Sequence, residues 1–159
     1  MHMPKKDIKN LETLYEITKE KLFNQMENAD ALDTKASNVM GFIGIIVGAI
    51  FGFTFFLTSL PWIGLFSLKL STLFLISSFV FGLLTLRCRI YQLDPKPKSL
   101  VENYTLETYE HTIEQITHNF VDSYEKNENK LKLKARYINI SLYLLLISIV
   151  ILSIGIFMG

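Results

Sequence analysis

The most informative absence in the sequence is that of ionisable side chains between Lys35 and Lys69. A hydrocarbon core of about 30 Å needs only about 20 apolar residues to cross it. Similar uncharged runs occupy residues 70–86 and 137–158. These runs are too long and too uniformly apolar for the core helices of a small soluble domain. The sequence therefore predicts an all-α integral membrane protein with three transmembrane helices.

The sequence also lacks the motifs that carry catalysis or tight metal binding. It contains no glycine-rich phosphate loop after a strand, no Gly-x-Ser-x-Gly and no HExxH. The pairs Glu107–His111 and Glu114–His118 have the helical spacing of four that metal sites use, but no third ligand accompanies them at a suitable spacing. We therefore predict no catalytic residue, no metal ion and no enzymatic activity.

A large excess of basic charge is absent as well, since the sequence contains 16 Lys and Arg and 15 Asp and Glu. The two signs balance within each polar block, which argues against a groove for nucleic acid. The positions of the basic residues are uneven, with six lysines in 1–38, nine Lys or Arg in 87–136 and only Lys69 between them. The positive-inside rule then predicts a multi-pass inner (plasma) membrane protein with a cytoplasmic N-terminus and an outside C-terminus.

Helix breakers are scarce, and their positions divide the chain. Neither Gly nor Pro lies between Leu32 and Val39, so the amphipathic N-terminal arm is expected to continue into the first span. Pro61 ends that span, and the capping box at 99–102 begins a second amphipathic helix. The predicted segments are a cytoplasmic helix (1–38), a first transmembrane helix (39–58), an outer hairpin (59–69), a second transmembrane helix (70–90), a proline-containing linker (91–98), a cytoplasmic helix (99–135) and a third transmembrane helix (136–159).

Small residues indicate where helices pack. Gly44, Gly48 and Gly52 recur every fourth residue, so they share a helix face from which side-chain bulk is missing. We expect this face to pack against another helix. The second span carries further small or weakly polar residues suited to packing or interhelical hydrogen bonds, with pore lining as the alternative. They are Ser71, Thr72, Ser77, Ser78, Gly82 and Thr85.

The two amphipathic helices cannot bury their apolar stripes alone. The simplest solution pairs them with one another or with neighbouring subunits. We therefore predict a homo-oligomer that assembles through its transmembrane and cytoplasmic helices, with the lipid bilayer as its other partner.

Charged residues close to the first span allow two interpretations. In one, Lys35 reaches lipid phosphate while Asp33 is solvated. In the other, both pair with groups on another helix, such as Arg87 and Arg89 at the end of the second span. Spacing alone favours the first interpretation.

A separate basic cluster precedes the third span. Four basic residues alternate with other residue types, a pattern that attracts anionic lipid by about 1 kcal/mol per charge near the surface. The cluster consists of Lys130, Lys132, Lys134 and Arg136.

Residues 29–52 resemble the transmembrane effectors of the Pycsar antiphage system, which carry an Asp-x-Lys-Ala signature before the first span. Here the signature is Asp33-Thr34-Lys35-Ala36, followed by Ser37 and the glycines. The resemblance implies a prokaryotic inner-membrane effector that disrupts the membrane in response to cyclic UMP or cyclic CMP, in functional association with a nucleotide cyclase. We expect Asp33, Lys35, Arg87 and Arg89 to take part in ligand binding or signal coupling. Alternatives are a constitutive structural subunit and a small ion channel.

Overall fold

The computed structural model describes residues 8–52, 61–88 and 107–157, and all regular structure within them is helical. The three helices are α1 (Ile8–Gly52), α2 (Trp62–Arg87) and α3 (Tyr109–Phe157). Each is long and apolar enough to cross a membrane. The prediction of three helices that are able to span a membrane is therefore confirmed.

Two helix boundaries differ from those predicted. α2 begins at Trp62 rather than near residue 70, because Pro61 occupies its N-cap position with extended backbone. The carbonyl oxygen of Pro61 accepts a hydrogen bond of 3.1 Å from Leu65 N–H. Lys69, which suggested a hairpin, therefore lies within the helix. α3 begins at Tyr109, and Glu107 and Thr108 before it are not helical. No unbroken helix thus runs from Ser99, whose capping box lies outside the described residues.

The continuous course of α1 is confirmed between residues 8 and 52, which include residues 8–38 of the predicted arm and 39–52 of the predicted first span. The chain divides into two compact units, to each of which α1 and α3 contribute. We call residues 1–29 and 89–131 the polar unit, and residues 30–88 and 132–159 the membrane unit.

In the polar unit, the first part of α1 packs against the first part of α3. Leu22 and Ile113 are buried, and the rings of Tyr15 and Phe120 stack with centroids 5.8 Å apart. The side-chain amide of the buried Gln25 donates a hydrogen bond of 3.1 Å to a backbone carbonyl on α3. The two predicted stripes therefore do contact each other within one chain.

At the start of α3, the hydroxyl of Tyr109 donates a hydrogen bond of 2.8 Å to Glu12 Oε1 on α1. This bond to a carboxylate raises the pKa of Tyr109 above its ordinary value of 10.0, with smaller contributions from desolvation and from the charge of Glu12. The pair adds a polar contact between the two helices.

In the membrane unit, most of the buried residues of α2 are small or hydroxylated, while many large apolar residues are exposed. On α2 the exposed side chains include Trp62, Phe66 and Leu73. The buried residues of the same helix are Gly64, Ser67, Ser71, Leu75, Ser78, Gly82 and Thr85. This distribution is the reverse of a soluble bundle, and it suits helices whose outer faces contact lipid and whose backbones approach closely.

An apolar cluster completes the interior of the membrane unit. It contains Ala36, Val39, Ile43, Leu75, Ile138 and Leu145, contributed by all three helices. Within this unit α2 runs antiparallel to α3, because the pairs Ser71–Ser148 and Ser78–Ser141 progress in opposite directions along the two helices.

Candidate functional site

The most heavily buried charge in the membrane unit belongs to Lys134 on α3. Its side chain is 1% exposed, and Nζ lies 2.6 Å from Oδ2 of Asp33 on α1. The Asp33 side chain is 32% exposed, but its Oδ1 is buried and accepts no hydrogen bond from the described residues. A short contact between opposite charges is a strong hydrogen bond, because both groups carry full charge.

The sequence places Lys134 in the interior through a seven-residue period. Lys134, Ser141, Ser148 and Gly155 follow one another at this interval, and all four are buried. Seven residues are close to two helical turns, so these positions lie along one side of α3. Lys134 is therefore the charged member of the same stripe that packs against α2.

The register of α2 against α3 continues to the ion pair. Ser71 and Ser148 bond across the two helices, and Ser78 and Ser141 do so seven residues further along α2. The next step of the same register brings Thr85 level with Lys134, and both side chains are buried. The ion pair thus occupies the layer that follows the two serine layers.

The ion pair joins α1 to α3. A buried pair that loses one partner leaves an uncompensated charge, at a cost of about 3–5 kcal/mol. Separating Asp33 from Lys134 therefore carries a free-energy cost. We call this ion pair the latch.

The chain matches the PycTM family, described as a Pycsar effector protein domain, over residues 19–159. It belongs to that family. No curated protein and no solved structure gives a significant match. Pycsar effectors of this kind are not a known catalytic family, and membership supports the role of a multi-pass antiphage membrane effector.

In this Pycsar effector, the first residue of the predicted Asp-x-Lys-Ala signature is the one that pairs with Lys134. The interpretation that spacing favoured, in which Asp33 is solvated, does not describe its Oδ2 atom, which pairs with another helix as in the alternative interpretation. The partner is Lys134 rather than the arginines named there. Lys35 and Arg87 are exposed, and Arg89 lies outside the described residues. The last signature residue, Ala36, is completely buried, which its small size allows.

The glycines of the predicted packing face are not in close contact with another described helix. Gly44, Gly48 and Gly52 are exposed, and a Cβ added to any of them would meet no described atom within 4 Å outside its own helical turn. Close helix approach occurs instead at Gly155, where an added Cβ would lie 2.5 Å from Cβ of Ser67. A contact of these three glycines with another molecule therefore stays a prediction.

Two of the six small residues singled out in the second span make the expected interhelical bonds. Ser71 and Ser78 bond to α3, whereas Thr72, Ser77 and Thr85 bond to carbonyls of their own helix. The role of Lys134 was missed because the residue was assigned to a lipid-facing basic cluster. Its spacing of seven from Ser141 was the signal that could have identified it.

Proposed function

We propose that this Pycsar effector assembles as a homo-oligomer and permeabilises the inner membrane of a prokaryotic cell when cyclic UMP or cyclic CMP is produced during infection. Family membership over most of the chain supports the effector role. Three membrane-compatible helices supply the means of acting on a bilayer. In this proposal the N-terminus is cytoplasmic and the C-terminus lies outside.

The observation that carries the proposal is the ion pair between Asp33 and Lys134. The pair lies where α1 changes from a charged to an uncharged sequence, immediately before the first span. A cytoplasmic event that separates the two charges would leave both without compensation and favour a different packing of the membrane helices. The latch is then the step at which a signal becomes a rearrangement of the bilayer-spanning part.

Exposed cations near this latch are suited to an anionic signal or to a charged group on another copy. Lys35 and Arg87 are exposed, and the basic Arg89 follows in the sequence. Lys35 is two residues from Asp33 on α1, and Arg87 is two residues from Thr85, the position that the register of α2 against α3 brings level with Lys134. Direct binding of the cyclic nucleotide by these residues is part of the proposal.

The experiment is co-expression with a cyclase that makes cyclic UMP or cyclic CMP, followed by entry of a membrane-impermeant dye. The wild type is expected to admit dye only when the cyclase is active. Asp33→Asn removes the charge at constant shape and is expected to abolish the dependence on the cyclase while the protein still inserts into the membrane. Glu27→Gln, at an exposed position on the same helix, is the matched control.

Intact membranes in the wild type, with active cyclase and with the protein found in the membrane fraction, would contradict the proposed function. If Asp33→Asn kept the full cyclase-dependent response, the ion pair would not be the coupling element. Defined, ion-selective conductance in planar bilayers would instead indicate that the protein is an ion channel and does not permeabilise the membrane in general.

A further inference from the structure

A groove of about 300 Å³ lies between α1 and α2 within the membrane unit. Residues of α1 form one wall and residues of α2 form the other. Its lining includes Met40, Ile43, Gly44, Thr72, Ile76 and Phe79. Gly44 adds depth because a Cβ at this position would meet no described atom within 4 Å beyond its own helical turn.

The chemistry of the groove selects an apolar occupant. Among the described residues that line the groove, Thr72 supplies one hydroxyl, which already donates to the Leu68 carbonyl at 2.8 Å, and none is charged. A polar ligand would therefore lose its hydration and gain from these residues at most a bond to the Thr72 hydroxyl oxygen. Because the outer faces of these helices contact hydrocarbon rather than water, an acyl chain is the occupant that the surroundings supply.

Lys69 lies on α2 one helical turn before the first of the α2 residues that line the groove. Lys69 precedes Thr72 by three residues and Ile76 by seven, so all three lie on one face of α2. Lys69 is exposed, and it is the only ionisable residue between Lys35 and Arg87 in the sequence. A long lysine side chain at this depth extends its ammonium group towards the headgroup layer.

The distance between the cation and the far end of the groove fits one leaflet. Ten residues separate Lys69 from Phe79, which corresponds to about 15 Å at 1.5 Å per residue. That length is half of a hydrocarbon core of about 30 Å. A phosphate bound at Lys69 would therefore have its acyl chain alongside Thr72 and Ile76 and the chain end near Phe79.

We propose that the membrane unit binds one phospholipid of the leaflet nearest the α1–α2 connection, with an acyl chain in the groove and an anionic headgroup at Lys69. The lipid fills the space that α1 and α2 leave between them. Its binding is independent of the cyclic nucleotide response, so the two proposals succeed or fail separately.

The experiment titrates delipidated protein in detergent with phosphatidylglycerol and, separately, with phosphatidylcholine. Native mass spectrometry counts the lipids bound per chain. The wild type is expected to bind one phosphatidylglycerol about fivefold more tightly than phosphatidylcholine, the preference that one lysine near the surface provides. Lys69→Gln should lose the preference but still bind both lipids, and Lys69→Arg should keep it.

Substitutions at Gly44 test the acyl-chain site. Gly44→Ala should moderately weaken the binding of both lipids. Gly44→Leu should weaken the binding of both by about tenfold or more, which would correspond to about 1.4 kcal/mol or more. Gly41→Leu is the matched control, because Gly41 is an exposed glycine of the same helix that does not line the groove. An unchanged melting temperature establishes that each variant is folded.

Equal lipid binding by the wild type and Gly44→Leu would overturn the acyl-chain site. Unchanged lipid binding together with a lower oligomeric mass in Gly44→Leu would overturn it as well, and would assign the groove to a second copy of the chain. Full preference for phosphatidylglycerol in Lys69→Gln would overturn the headgroup assignment.

Discussion

Ser78 and Ser141 exchange hydrogen bonds across α2 and α3, each hydroxyl donating to the backbone carbonyl of the other residue at 2.7 Å. The hydroxyl oxygens themselves lie 3.1 Å apart. Such an exchange requires the two backbones to approach closely, and a larger side chain at either position would prevent it. Ser71 and Ser148 repeat the arrangement one layer away, with hydroxyl-to-carbonyl distances of 3.1 and 3.0 Å.

Replacing Ser141 tests how much this exchange stabilises the membrane unit. Interhelical hydrogen bonds in membranes contribute about 0.6 kcal/mol on average and at most about 1.7 kcal/mol. Ser141→Ala should therefore lower the free energy of unfolding by about that amount, and Ser141→Leu by more, as measured by denaturation in mixed micelles. Ser153→Ala is the control, because Ser153 is exposed and bonds within its own helix. Equal effects at both positions would exclude a special role for the exchange.

Gly155 should tolerate no larger residue. A Cβ at this position would lie 2.5 Å from Cβ of Ser67, an atom fixed to the α2 backbone, so the helices would have to separate. Gly155→Ala is expected to lower the free energy of unfolding by about 1–3 kcal/mol. Gly41→Ala, in the interior of α1 where a Cβ would meet no described atom within 4 Å beyond its own helical turn, gains helix propensity of about 0.5–1 kcal/mol without a clash. Stabilisation by both substitutions would contradict the close approach.

Gly48→Leu tests the predicted contact between chains. Gly48 is exposed in the single chain, so added bulk should leave the fold intact while it prevents another helix from approaching this face. The oligomeric mass in detergent, measured by light scattering, is expected to fall. Ala49→Leu adds the same bulk on a different exposed face and should leave the mass unchanged. An unchanged mass in Gly48→Leu would remove this glycine from the interface.

The ion pair predicts strong non-additivity between its two residues. Lys134→Met removes the cation that pairs with Oδ2 of Asp33 and leaves the carboxylate uncompensated, and a loss of about 3–5 kcal/mol is expected. Asp33→Leu combined with Lys134→Met removes both charges and should recover most of this loss. The exposed Lys130 provides the control Lys130→Met, for which little change is expected. Additive losses in the double variant would show that the two side chains do not interact.

Tyr109 provides a test of the polar unit at high pH. Its pKa is raised by the bond to Glu12, so the neutral phenol is favoured in the folded state. The corresponding stability is fully present below pH 10 and is lost as the pH rises through the folded-state pKa. Glu12→Gln should let Tyr109 ionise at lower pH, as followed by NMR of ¹³C-labelled tyrosine rings. Glu16→Gln should not, and an equal shift in both variants would contradict the assignment.

The sequence predicted the features that depend on local composition. Uncharged runs identified three membrane-compatible helices, and the lack of a breaker between Leu32 and Val39 predicted the continuity of α1. α2 begins at Trp62, eight residues before the predicted second span, because Pro61 is a stronger signal for a helix boundary than Lys69.

The partner of Asp33 could not be read from local spacing. Lys134 is 101 residues away in sequence, and its neighbours Lys130, Lys132 and Arg136 make it resemble a surface cation. The seven-residue interval to Ser141 distinguishes it from them. An interval of this kind predicts which side of a helix is buried, but it does not name the opposite residue.

The hydroxyl-lined interior of the membrane unit has a consequence for how the family can diverge. Outside positions such as Leu73 and Phe66 need only remain apolar, so Leu, Ile, Val and Phe can replace one another there with little cost. Inside positions are limited by volume rather than by polarity. Across relatives we therefore expect Ser, Gly, Ala and Thr to interchange at Ser67, Ser71, Ser141 and Ser148. A residue larger than Gly at position 155 should occur only with Gly at position 67, because a Cβ at Gly155 would lie 2.5 Å from Cβ of Ser67.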